Sequence, residues 1–308
     1  MDKYGAAYLS KKRRALEIRA RMINSIRAFF ISQGFLEVQT PVRMPSPAPE
    51  ANIDAVSSGD WYLHTSPELP MKRLLSAGYE RIFQLCPCFR EGERGALHLP
   101  EFTMLEWYRS GADYRTLMAD CEALLNSLSK ELDKEVLSFK GRTSLLGSGV
   151  EKVTVEEAFL RHVGKSPEES LKEGDFDERI AYDIEPTLGS PRPTILKDYP
   201  NSQASLSKLK TSNPNVAERF ELYIAGLEIA NGFSELTDPS EQRRRFKAEI
   251  ENRKSLGKVI YPMPERFLRE LEEMPEAAGI ALGIDRLAML FCDARSIDEV
   301  VAFTPEEL

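Results

Sequence analysis

Apolar positions along the chain change period several times, and each change marks an element. From Leu16 the residues Ile18, Met22, Ile23, Ile26, Phe29 and Phe30 recur at helical spacing, which predicts a long amphipathic helix capped by Ser10 and stopped at Gly34. An extended piece at 35–41 and a proline-broken loop at 44–49 follow, then a helix at 69–77. The period falls to two at 82–90 and again at 101–108, so these segments read as the arms of a wide hairpin. On the second arm Phe102, Met104, Glu106 and Tyr108 share one face. Helical spacing returns at 114–132, 239–256 and 265–272, and a strand at 279–284 runs into a helix at 286–292. Residues 138–197 are charged and broken by glycine and proline, and they are expected to be an insertion with one or two helices. No repeat and no strand–helix–strand rhythm is present, so the expected class is α+β: a mainly antiparallel sheet with packed helices.

Within this pattern Glu221, Glu228 and Glu235 recur at seven-residue intervals. Seven residues is two helical turns, which also suits an acidic stripe on a surface helix. Gly226 and Gly232 count against that reading, because each would cost a helix interior about 1 kcal/mol relative to Ala. Phe220, Leu222 and Ile224 alternate with Glu221 and Tyr223 as in a strand, so a hairpin turning near Ala225-Gly226 fits better. Seven is odd, so Glu228 and Glu235 share a face only across a bulge, and Asn231-Gly232 is its expected place.

Composition narrows the chemistry. A chain of 308 residues with 42% hydrophobic residues can bury one large core. Four cysteines without a CxxC pair and three histidines offer no zinc constellation, so Cys86 and Cys88 are expected to be inward strand residues. No apolar run approaches the ~20 residues of a membrane span, and no signal-peptide core is seen, so a reducing cytoplasm is the expected location. The net charge of −8 gives no general pull toward nucleic acid, and Lys11-Lys12-Arg13-Arg14 reads as a solvated helix start.

A Walker loop is absent. Instead Arg90 ends the first hairpin arm, Glu221 and Glu228 lie near a hairpin turn, and Arg286 sits where a strand meets a helix start. Carboxylates can hold Mg²⁺ and arginines can clamp phosphates, so these are the parts that a metal-bound triphosphate needs. Carboxylates at Glu68, Glu106 and Glu235 would suit a substrate that carries amines.

These segments resemble the class II aminoacyl-tRNA synthetases of the lysyl type. GFLEVQTP (34–41) is similar to motif 1, CFREGERGALHLPEFTMLEWY (88–108) to motif 2 and GIALGIDRLAML (279–290) to motif 3. TSPELPMKRLL (65–75) and ERFELYIAGLEIANGFSELTD (218–238) match the lysyl branch. Closer still is the resemblance to the truncated branch that ligates (R)-β-lysine to elongation factor P, carried by SQASL (202–206), FTMLEWYR (102–109), VAERFELY (216–223) and VVAF (300–303). Only about 33 residues precede the motif 1 segment, so an N-terminal OB anticodon-binding domain is expected to be absent and tRNA not to be bound.

The resemblance implies one catalytic domain over 1–308, a class II synthetase-like antiparallel sheet flanked by helices, acting as a homodimer with ATP and Mg²⁺. It implies (R)-β-lysine or lysine as the amino acid, elongation factor P as the acceptor, and no membrane. By the same resemblance Arg90 and Arg286 are the catalytic arginines. Ser66, Glu68, Glu106, Tyr108, Asn231, Glu235 and Ala281 would hold the amino acid, with Glu235 facing its distal amine. ATP would meet Arg90, Glu93, His98, Phe102, Glu228, Ile229, Gly283 and Arg286, with Phe102 stacking on adenine, and Glu221 and Glu228 would bind the metal. Two positions depart from the family pattern. The motif 2 loop has Glu91-Gly92-Glu93 and His98-Leu99-Pro100 where FRNE and HNPEF are usual, and Ala281 replaces the glycine of lysyl-tRNA synthetases. One methyl in a pocket wall shifts preference by about 1–3 kcal/mol, enough to favour an amine moved along the carbon chain. The rival readings are a minimal synthetase that charges tRNA and a non-catalytic synthetase-like module.

Overall fold

The segments with a period of two pair as strands, and the helical periods lie across them. The computed structural model describes residues 5–308. Its strands are β1 (Leu36–Glu37), β2 (Arg43–Met44), β3 (Ser57–Ser58), β4 (Trp61–Leu63), β5 (Arg81–Phe89), β6 (Glu101–Ser110), β7 (Val136–Phe139), β8 (Arg142–Leu145), β9 (Glu151–Thr154), β10 (Thr194–Pro200), β11 (Leu209–Lys210), β12 (Asn213–Ile224), β13 (Leu227–Ser234) and β14 (Ala277–Gly283). Among the described residues, nine of them form one sheet in the order β1-β5-β6-β14-β13-β12-β10-β9, with β11 beside β12. The β1–β5 and β9–β10 pairs are parallel and the pairs between them antiparallel, which gives the expected α+β sheet. Strands β2, β4 and β3 make a small sheet, and β7 and β8 a hairpin.

The α-helices are α1 (Ala6–Leu9), α2 (Arg13–Ser32), α3 (Glu68–Ser76), α4 (Tyr114–Glu131), α5 (Val155–His162), α6 (Pro167–Glu173), α7 (Phe176–Arg179), α8 (Pro239–Ser255), α9 (Glu265–Glu270) and α10 (Ile284–Cys292). Among the described residues no helix is long and apolar enough to cross a membrane. One sheet face is closed by α2, α4 and α10, where Met22, Ile26 and Phe30 meet Leu105, Trp107, Phe220, Leu222, Ile280 and Leu282. The other face is covered toward both ends: Leu69, Met71 and Leu75 of α3 and Phe267 and Leu268 of α9 pack near Ile82 and Tyr108, and Phe159 of α5 and Phe176 of α7 pack with Leu196 and Tyr223. Over β6, β14 and β13 it stays open as a cleft.

Three local expectations are corrected. Ser10 does not cap the long helix: its hydroxyl donates to the Ala7 carbonyl at 2.9 Å, a 3₁₀ turn covers Ser10–Lys12, and Lys12 stands at the N-cap of α2 without a side-chain cap. Lys12 is also not solvated, because it is buried against Glu307 at 2.7 Å, while Lys11, Arg13 and Arg14 are exposed. The bulge exists but lies earlier: Leu222 faces Ala230 and Tyr223 faces Glu228, so Ile229 is the extra residue. Gly232 serves the core face instead, where an added Cβ would lie 2.9 Å from Ile280 and Phe220. Gly34 ends α2 as expected, at φ +76°.

Residues 138–197, expected as an insertion, hold most of the β7–β8 hairpin, strand β9 and most of β10. The helices between β9 and β10 are short, and capping boxes at Thr154/Glu157 and Ser166/Glu169 start two of them. Phe159, Phe176, Ile184 and Leu188 form a satellite core that reaches Tyr223.

Candidate active site

Alternation on β6 puts Phe102, Met104, Glu106 and Tyr108 on the cleft face, as expected, with Leu105 and Trp107 in the core. On β13 the same parity holds only because of the bulge: Glu228 before it and Asn231 and Phe233 after it all line the cleft, and Glu235 follows in phase just beyond the strand. The cleft holds about 340 Å³, and its lining includes Ser66, Glu68, Arg90, Glu93, His98, Ile229, Ala281, Gly283 and Arg286.

One end is built for positive charge. Glu106 is buried but not orphaned, since Ser66 Oγ donates to Oε1 at 2.5 Å and Tyr108 OH to Oε2 at 2.9 Å. Burial, reinforced by nearby Glu68, still pushes its carboxyl up to about 8. Ala281 lies between Glu106 and Asn231 in the register, so its methyl shapes the wall between them. Below sits Lys72, fully buried, with Nζ 2.5 Å from Glu68 Oε1 and 2.6 Å from Glu235 Oε2. Burial opposes the charge on Lys72, but the two carboxylates outweigh it and raise its pKa above the ordinary lysine value. Glu235, 1% exposed, bears the cost of that burial and is lifted to about 8, with Lys72 pulling it down and Glu68 pushing it up. Its other oxygen, Oε1, has no hydrogen-bond partner among the described residues. Gly279 makes that arrangement possible, because a Cβ there would stand 2.2 Å from Tyr108 Cε1 and 2.4 Å from Glu235 Oε1.

The other end is built for negative charge. The Arg90 guanidinium lies 5.1 Å from the Phe102 ring centroid and 3.8 Å from Glu93, and its buried Nε has no partner among the described residues. Arg286, in the first turn of α10, donates to Glu228 at 3.1 Å and to His98 Nε2 at 2.6 Å. Burial and the Arg286 charge hold His98 below its usual pKa, so it is a neutral acceptor. At Gly283 an added Cβ would meet nothing closer than 3.9 Å, so the backbone lies open to the cleft. Asp285 anchors this helix start to the sheet, accepting from Thr103 N at 2.6 Å and pairing with Arg19 of α2.

Glu221 is reached by three donors, Tyr199 OH, Tyr223 OH and Arg219, each at 2.6 Å. Glu228 is raised by burial and by Glu221, with Arg286 opposing. Glu185 joins them through Tyr223 OH at 3.2 Å and is pushed to about 7 by burial and Glu228. This all-oxygen carboxylate group fits a hard cation such as Mg²⁺: three acids face too few cations, and two of them are held protonated more easily than usual.

The expected site residues are therefore brought to one cleft, except that Glu221 and Glu235 lie just behind its lining, Glu235 beneath Gly279 and Glu68. Sequence reasoning missed Lys72, Gly279, Glu185, Arg219 and Glu50, which lines the cleft and is raised to about 7 by burial and Glu68. The signal for Lys72 is the i,i+4 pair Glu68–Lys72: the sequence reading takes Glu68 as an amino-acid ligand and leaves Lys72 inside the expected helix at 69–77.

Residues 3–307 match the family described as tRNA synthetases class II (D, K and N). The chain belongs to this class II synthetase family. Among curated proteins it is similar to an elongation factor P–(R)-β-lysine ligase of Edwardsiella ictaluri, at 39% identity over 304 residues that cover 93% of each chain. Proteins of the same description from Pectobacterium atrosepticum and Vibrio cholerae are 37% and 38% identical, each covering 94% of both chains. The β5–β6 hairpin and the β14–α10 junction, the segments that carry Arg90 and Arg286, lie within the matched residues.

Proposed function

We propose that this protein activates (R)-β-lysine with ATP as an aminoacyl-adenylate and transfers the acyl group to a lysine of elongation factor P. The observation that carries the reading is the pair of unpartnered buried atoms: Glu235 Oε1 among carboxylates, and Arg90 Nε beside Phe102. An ammonium satisfies the first and a carboxylate or phosphate oxygen the second, so a diamino acid fits between them with its carboxylate toward ATP.

In this reading Glu235 and Glu68 hold the distal amine, while Glu106, with Ser66, Tyr108 and Asn231 around it, receives the amine nearer the carboxylate. Ala281 narrows that wall. Phe102 stacks on adenine, Ile229 and Gly283 give the nucleotide close backbone approach, and Glu93 and His98 border it. Arg90 and Arg286 counter the charge that develops as the amino-acid carboxylate attacks the α-phosphate and pyrophosphate leaves. Glu221 and Glu228 would hold Mg²⁺, with Glu185 adjacent, and the ion would supply charge neutralisation at the phosphates. The attacking lysine amine enters neutral, forms the amide and releases AMP; no residue acts as a covalent nucleophile, so positioning supplies much of the rate. We read residues 1–308 as one synthetase-like catalytic domain that dimerises through the segment of α2 and β1, where Ile31 and Leu36 are exposed.

Intact-mass analysis of elongation factor P after incubation with the protein, ATP and either (R)-β-lysine or α-lysine tests this. One added lysyl unit, larger in yield with the β-isomer, is expected. No shift with either amino acid, or label transferred to tRNA instead, would overturn it.

A further inference from the structure

Beside the nucleotide end of the cleft, β5 and β6 carry a further cluster that shares Met104 with the cleft wall. Cys86 and Cys88 are two apart on β5 and so share a face, Met104 lies opposite Cys86 in the register, and His64 follows β4 directly. Cys88 Sγ is 4.0 Å from Cys86 Sγ, 3.9 Å from Met104 Sδ and 4.0 Å from His64 Nε2. His64 and Cys88 are fully buried and Cys86 and Met104 nearly so. Around a tetrahedral cation bonded at ~2.3 Å to sulfur and ~2.0 Å to nitrogen, donor atoms stand roughly 3.5–3.8 Å apart. The three distances from Cys88 Sγ are thus within about half an ångström of that spacing, and the ligand atoms of His64, Cys86 and Cys88 all lie within 4.8 Å of one another.

We propose that His64, Cys86, Cys88 and Met104 form a binding site for one thiophilic closed-shell cation, Zn²⁺ or Cu⁺. The expectation that this sequence holds no such constellation rested on the CxxC spacing, which places two sulfurs together at a turn. A Cys-Pro-Cys run places them together on an extended strand, and the partner strand and His64 bring the remaining donors. The Pro87 carbonyl, 2.7 Å from His64 Nε2, holds the ring edge against the thiols. Loading a cation frees both thiol protons and moves the His64 proton from Nε2 to Nδ1, so the ring gives up its hydrogen bond to the Pro87 carbonyl and turns the Nε2 lone pair to the cation. Two thiolates balance Zn²⁺ but leave a buried negative charge with Cu⁺, so charge favours zinc while the thioether favours copper. Phe102 and Ala281 pack directly on this cluster, so an occupied site would pin β5 to β6 beside the nucleotide pocket.

The test uses the full chain, stripped of metal under reducing conditions and titrated with Zn²⁺, and anaerobically with Cu⁺, against a chromophoric chelator. One cation retained per chain is expected, with two protons released per Zn²⁺. Co²⁺ in place of Zn²⁺ should give a thiolate-to-metal charge-transfer band, a readout on the unsubstituted protein that does not depend on a variant folding. Cys88→Ser and His64→Gln should each weaken retention by roughly 100-fold, whereas Cys292→Ser should leave it unchanged. If neither cation is retained, or if Cys88→Ser retains it as well as the unsubstituted chain, the four residues are packing residues only and the proposal fails.

Discussion

Replacing Glu235 with glutamine keeps the side chain's shape and changes only what it can accept. In the empty pocket burial lifts Glu235 to about 8, so it takes a proton far more readily than an ordinary carboxyl, and glutamine resembles that protonated form. The free protein should therefore unfold at nearly the same temperature as the unsubstituted chain. The difference appears when an ammonium arrives. A carboxylate offers Oε2 to Lys72, at 2.6 Å, and Oε1 to the ligand; an amide has one acceptor for two cations. Stranding one member of a buried charge pair costs about 2–5 kcal/mol, and Lys72 keeps Glu68 at 2.5 Å, so the lower part of that range applies. A loss of ~2–3 kcal/mol is roughly 30- to 150-fold in kcat/KM. Amino-acid-dependent ATP–pyrophosphate exchange measures it, with KM for ATP expected to stay constant. Exchange kinetics equal to those of the unsubstituted protein, or a loss shared equally by ATP binding, would refute the placement of the amine at Glu235.

Other consequences are as direct. Gly279→Ala forces a methyl against Tyr108 and Glu235, so activation should fall steeply while unfolding by urea shows a cost of about 1–3 kcal/mol, the usual range for overpacking. Glu106 and Glu235 at about 8, and Glu50 and Glu185 at about 7, bind protons in the folded state that the unfolded chain releases near 4.5. Their contribution to stability is therefore full below that range and is lost as pH rises to about 8; a diamine replaces the protons, so its stabilising effect in thermal melts should grow from about pH 6.5 to about pH 8.5. Arg19→Met leaves Asp285 buried with only the Thr103 amide as a donor, and should lower stability by about 3 kcal/mol in urea titrations.

The legible parts of the fold were those where one period runs unbroken. The β5–β6 hairpin and the cleft face of Phe102 to Tyr108 follow from alternation, and Gly283–Arg286 from the junction of a strand with a helix. What stayed hidden depends on contacts between distant segments. Nothing near Arg19 points to Asp285, and Glu185 reaches the acidic cluster only because β10 folds back beside β12. Residues 138–197 resisted reading because their helices are short and β9 pairs with β10 only across all of those helices. The bulge was inferred correctly from parity but misplaced. Asn-Gly attracts turn assignments, whereas Gly232 is demanded by Phe220 and Ile280 across the core.

The extra residue at Ile229 is a phase step. Upstream of it the cleft face takes one parity of β13, downstream the other, so Glu228 and Glu235 answer to different frames of one strand. A side-chain change at this position alters packing locally. Removing the residue would shift the frame for everything after it until the next irregular backbone, turning Asn231 and Phe233 into the core and Gly232 toward the ligand. The nucleotide end and the amino-acid end of this site are thus joined by a count, and β13 tolerates changes of identity far better than changes of length.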